Sequence, residues 1–183
     1  MKKIVILAGI LIGTVNAFGQ KYLTQNGTIN FYSETPLENI ESVNNQVSSV
    51  LDTENGNIVF SLLIKAFSFE KALMQEHFNE KYLESEKYPK STFKGSILDY
   101  STYELSNEPT KVKIKGQLTI HGVTKEIEVN GSLTKTSDSK IKGESEFLVL
   151  LDDYNIKVPS AVSGNIAKEI KIKAIMNYEK FEK

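Results

Sequence analysis

Any chemistry in this chain would have to come from a short inventory of side chains. Cysteine and tryptophan are absent, there are two histidines, and all 22 basic residues are lysine. Lack of cysteine removes thiolate nucleophiles, disulfides and sulfur-ligated zinc. Lack of arginine removes the planar fork that grips carboxylate or phosphate with two parallel bonds. His77 stands between Glu76 and Glu80, whose i, i+4 spacing puts both carboxylates on one helix face. A His and carboxylate metal site can be drawn there, but the spacing supplies no fourth ligand, so packing or capping is expected. His121 and Gly122 separate two alternating segments, as in a tight hairpin whose ring bonds near the turn. Asp152 and Asp153 are adjacent, whereas the acid and base of glycoside hydrolysis come from facing walls, so a solvated turn is expected. The Gly-x-Ser-x-Gly elbow, the P-loop and the dinucleotide fingerprint are all missing. A hydrolase or isomerase using His121 or His77 is thus a rival reading without a motif behind it, and no metal or cofactor is expected.

The elements that would position these residues are strands. Charged and apolar residues alternate along Lys111–Lys115, Glu126–Val129, Lys140–Lys142 and Glu169–Ala174, the period of a half-buried strand. Further strands are expected over Thr28–Ser33, Gln46–Leu51, Asn57–Ala66, Phe93–Tyr100 and Ser145–Leu151, with turn-rich segments between them. About eight short strands at hairpin spacing make an antiparallel barrel or a sandwich. One helix is expected, over Phe69–Leu83, with Phe69, Leu73 and Phe78 facing the barrel or covering one end and Pro89 closing the segment. Gly95, Gly116, Gly131 and Gly143 each fall in step with inward apolar residues of their strands. Missing side chains on that face leave either an interior space or room for sharp bends. Tyr82, Tyr88, Tyr100, Tyr103 and Tyr154 fall in loops or at strand ends, where a ring can stack on a chain while its hydroxyl orients a headgroup.

Lys2 and Lys3 precede an apolar run from Ile4 to Val15 and then small residues at Ala17 and Gly19, the order of a secretory leader. The run is too short to span a bilayer, and cleavage after Gly19 is expected, so residues 1–19 are read as a leader and 20–183 as one domain. The destination is then periplasmic or secreted, without stable membrane insertion. A net charge of -1 and a pI near 6.2 exclude the basic field that a nucleic-acid partner requires.

Glu76-His77-Phe78, Tyr88-Pro89 followed by Phe93-Lys94-Gly95, the run Gly116-Gln117-Leu118-Thr119-Ile120-His121-Gly122-Val123-Thr124-Lys125, and Leu151-Asp152-Asp153-Tyr154 occur in this order. Together they resemble the YceI-like family of exported proteins, over about residues 25 to 178. The resemblance implies an extended lipocalin-like antiparallel β-barrel whose apolar interior holds an isoprenoid or other long-chain lipid. Such a barrel is about wide enough for one slender ligand. Read with the alternation, it makes the inward wall Phe31, Phe60, Leu62, Ile64, Phe93 and Ile97 in the first half of the chain. In the second half the wall is Val112, Ile114, Leu118, Ile127, Val129, Phe147, Val149, Ile170, Ile172 and Ala174. The rivals are a solid-cored β-sandwich interaction or adhesion module and an outer-membrane barrel, which alternates with the same period.

Overall fold

Residues 21–181 are described by a computed structural model; the expected leader lies outside the described residues. The strands are β1 (Lys21–Glu34), β2 (Asn39–Asp52), β3 (Asn57–Leu63), β4 (Ser68–Phe69) and β5 (Lys90–Ile97), then β6 (Thr110–Ile120), β7 (Val123–Ser137), β8 (Lys140–Leu150) and β9 (Glu169–Lys180). All neighbours run antiparallel in the order β1-β9-β8-β7-β6-β5-β3-β2, and β1 pairs with β2 to close the sheet on itself. The two-residue β4 is an appendage on β2, so the closed barrel has eight strands. Closure removes the free edges that a sandwich would leave, and the sandwich alternative is set aside.

Alternation decides which way each side chain points. On β6, Val112 and Leu118 are buried while Lys111, Lys113 and Lys115 stand outside. Diagonal pairs Lys113–Glu128 (3.7 Å) and Lys115–Glu126 (3.1 Å) tie that outer face to β7. An apolar inside and a charged outside is the reverse of the pattern for a lipid-facing barrel.

Several expected boundaries move. Lys140–Lys142 and Ser145–Leu150 belong to one strand, β8, because Gly143 passes through the sheet without a break, and Leu151 begins a 3₁₀ turn. The segment from Asn57 leaves the sheet at Leu63 and turns through a 3₁₀ helix at Ile64–Ala66, and β5 ends at Ile97. The helix, α1, is only Ala72–His77, followed by a π turn at Phe78–Tyr82. Phe69 is instead paired with Ser42 on β2. The shortened helix turns Met74, His77 and Phe78 toward the barrel, leaving Leu73 60% exposed; the expected inward Leu73 is corrected.

One half of the interior is solid. Tyr22, Val47, Leu51, Leu133, Ile141, Met176 and Tyr178 are buried together there. The inward glycines belong to close packing rather than to free space. Gly95 and Gly116 are directly opposed on β5 and β6, and the Phe93 ring lies across them. A Cβ on Gly116 would meet that ring at 2.7 Å and the Lys94 carbonyl at 2.6 Å, and one on Gly131 would meet the Glu144 carbonyl at 2.8 Å. An aromatic side chain thus fills what the glycines leave out.

At the base of this half, Ser49 Oγ donates to the Val59 carbonyl (2.9 Å), so the Tyr178 hydroxyl donates to Ser49 Oγ (2.9 Å). Burial pushes the Tyr178 phenol from 10.0 up to about 12. The unfolded chain therefore loses this proton first as pH rises, and the folded state loses stability on the alkaline side. The contribution is complete below pH about 10 and declines through about pH 12, by roughly 2–3 kcal/mol. Urea midpoints measured across this range should fall less steeply for Tyr178→Phe; an unchanged slope would assign the decline to other groups.

Candidate ligand cavity

The other half of the barrel is hollow. A cavity of about 340 Å³ lies among the ends of β1, β3, β6 and β8 and the beginnings of β2, β5 and β9. This is within the range of small-molecule sites. Phe31, Phe60, Leu62, Ile64, Leu118, Phe147, Val149, Ile170, Ile172 and Ala174 all line it.

The remaining positions of the expected wall lie elsewhere. Phe93 stacks on Phe60 (5.4 Å between centroids) and fills the glycine pair. Ile97 and Val112 are buried in the core but outside the cavity lining. Ile114, Ile127 and Val129 are half-buried and outside the lining. For Ile127 and Val129 the cause is a split in the sheet: β7 pairs with β8 only from Gly131 to Ser137, leaving Val123–Asn130 with β6 as its strand partner on one side. Period two tells inward from outward; it carries no information on height along the barrel axis.

Two irregular segments cover this end. The first runs from Phe67 through α1 and its π turn to Tyr88. Its Phe67, Phe69 and Phe78 rings gather on Phe31 at 5.5–5.8 Å, while Phe78 meets Phe67 at 5.4 Å and Phe69 at 4.9 Å. The second is the connection from β8 to β9, which brings Ile156, Val158, Val162 and Asn165 to the lining. Ser33, almost wholly buried, anchors it by accepting the Ala167 N–H at 2.8 Å. Strand alternation reveals none of these lining residues; helical spacing in the first segment marks Phe69 and Phe78, which do line the cavity, and the second segment carries no period.

His121 fastens both covers to the β6–β7 hairpin. With φ at +51°, it presents Nδ1 to donate to the Tyr154 carbonyl (3.1 Å), and Nε2 lies 2.7 Å from Glu84 Oε2. Glu84 belongs to the first cover and Tyr154 to the second, and both Glu84 (+42°) and Asn155 (+56°) also have left-handed backbone. Three such residues in one place amount to stored strain held by the surrounding contacts. The ring therefore bonds across to distant segments rather than to its own turn. Tyr88 packs edge-on against it at 4.6 Å.

The remaining candidates divide clearly. Tyr82 lines the cavity, Tyr154 is buried, and Tyr100 and Tyr103 lie away from the cavity, where burial holds the Tyr100 phenol above its usual range. Asp153 pairs with Lys125 at 3.4 Å, and Asp152 is exposed beside it. His77 lies 3.0 Å from Lys81 Nζ, and among the described residues no cluster of His, Asp and Glu could hold a metal ion.

A closed antiparallel barrel, packed at one end and hollow at the other under a short helix, defines the class of extended lipocalin-like barrels. The model of the YceI-like domain matches residues 15–177, and the chain belongs to that family. Its fold is similar to that of a polyisoprenoid-binding domain from Saccharophagus degradans implicated in plant cell wall breakdown (TM-score 0.77, 16% identity, covering 89% of this chain and 99% of that one). It is also similar to BcnA of Burkholderia cenocepacia (TM-score 0.69, 14% identity, 82% and 95%) and to the YCEI protein of Campylobacter jejuni (TM-score 0.57, 15% identity, 100% of both). No curated protein matches the sequence.

Proposed function

We propose that this protein is an exported carrier or scavenger that holds an isoprenoid or other long-chain lipid inside the barrel and does no chemistry on it. The observation that carries this reading is the cavity itself, walled almost wholly by aliphatic and aromatic side chains. Each methylene moved from water into such a space gains about 0.8 kcal/mol, which favours a long chain over a compact polar ligand. The structural likeness to a polyisoprenoid-binding domain supports the same class of ligand. Both histidines have structural partners, His121 in the fastening of the covers and His77 beside Lys81, which supports binding without catalysis.

Native mass spectrometry of protein isolated from its own host is expected to release a lipid of discrete mass. Protein that carries no lipid from the host and takes up none from added isoprenoid would overturn the proposal. The intact mass tests export: the exported form should begin at Gln20 or Phe18, and one retaining Met1 to Val15 would overturn that part.

A further inference from the structure

Among the described residues, the cavity lining holds a single carboxylate, that of Glu38, and no lysine. Glu38 closes the β1–β2 turn, where Thr35 Oγ1 accepts its N–H (3.0 Å) and donates to its carbonyl (3.0 Å). The carboxylate accepts from Lys71 Nζ at Oε1 (3.2 Å) and from Asn165 Nδ2 at Oε2 (3.2 Å), joining the turn to both covering segments. A carboxylate has about four lone-pair sites, so about two remain for a ligand. The other polar groups on the lining are the Tyr82 hydroxyl, the Asn165 amide, the hydroxyls of Ser33 and Ser91, engaged by the Ala167 N–H and the Thr119 carbonyl respectively, and the His77 ring, which lies beside Lys81. An ammonium can only donate, so Nε2 accepts and the ring proton is on Nδ1.

We infer that this end of the cavity selects an uncharged headgroup that donates a hydrogen bond, such as the hydroxyl of a long-chain alcohol, and rejects carboxylate and phosphate. The inference rests on the cavity being a lipid site and adds which lipid it takes. A hydroxyl can donate a hydrogen bond to a remaining lone pair of Glu38. An anionic headgroup would face Glu38 at close range, and like charges in a partly buried site oppose one another. Lys71 offers no escape, since it is outside the lining and its ammonium is already engaged by Glu38.

The experiment is calorimetric titration of the full chain, wild type and Glu38→Gln, with dodecanol, dodecanoate and methyl dodecyl ether, which share one chain. Wild type should bind dodecanol about tenfold more tightly than dodecanoate, a difference of about 1.4 kcal/mol, and severalfold more tightly than the ether. Glu38→Gln, with its thermal midpoint as a folding control, should bring alcohol and acid to within about twofold. Equal binding of all three by wild type, or an alcohol-to-acid ratio unchanged by the substitution, overturns the inference and leaves the lipid reading standing. Binding of none of them overturns both.

Discussion

Ala174→Phe is expected to lower the affinity for a long-chain lipid at least about tenfold while shifting the unfolding free energy by less than about 1 kcal/mol. Ala174 lies on the cavity wall, opposite Ser145 on β8 and Ile29 on β1. A phenyl ring there takes up space that a ligand would use and has room to do so. Gly116→Ala provides the contrast. Its new methyl has the Phe93 ring at 2.7 Å and the Lys94 carbonyl at 2.6 Å, so even one carbon forces the β5–β6 pair apart. The expected cost is roughly 1–3 kcal/mol, as for other overpacked cores. Both belong in one series, with urea midpoints on delipidated protein so that bound ligand does not mask the comparison. The result against this account is a large loss of stability from Ala174→Phe, which would mean that the space beside β9 is too small for a chain.

His121→Asn is expected to cost roughly 2–3 kcal/mol and to speed ligand release. Asparagine tolerates the +51° backbone angle, so the turn itself survives. What goes is the reach to Glu84 and Tyr154, a charged and a neutral hydrogen bond in a site where the side chain is 10% exposed. Both covers are tied to the hairpin at this point, so the loss should raise hydrogen exchange in Ser85–Tyr88 and Tyr154–Ile156 before it raises exchange in the strands. Displacement of a bound fluorescent lipid, followed in time, should show a faster off-rate. Unchanged off-rate and exchange would mean that the covers are held by their phenylalanine contacts alone.

The parts of this molecule that were legible in the sequence are those with a period. Val112, Ile170 and Ile172 could be read as inward because their neighbours on both sides are charged, and Leu118 and the glycines could be read as sharing that face. The segments without a period were opaque. Nothing in the spacing around Leu73 and Met74 decides which of them faces the barrel, since that depends on where a six-residue helix begins. Glu38 carries no signal in the sequence, because its importance comes from Lys71 and Asn165, which are 33 and 127 residues away along the chain.

The sequence alone was enough for antiparallel strands in a barrel or a sandwich, the face that each strand turns inward, the absence of thiol and guanidinium chemistry, and the family resemblance carried by the Leu118–Lys125 run, which implied the barrel. Period-two patterning and composition are local properties, and they survive in a one-dimensional string. Only the tertiary structure decided which half of the interior is solid and which is hollow. That division depends on the Phe93 ring lying over Gly95 and Gly116, on β8 parting from β7 beyond Ser145, and on His121 joining two covers distant in sequence. Cavities are set by how side chains from different strands meet at one height, and height is fixed by register and closure rather than by any local pattern.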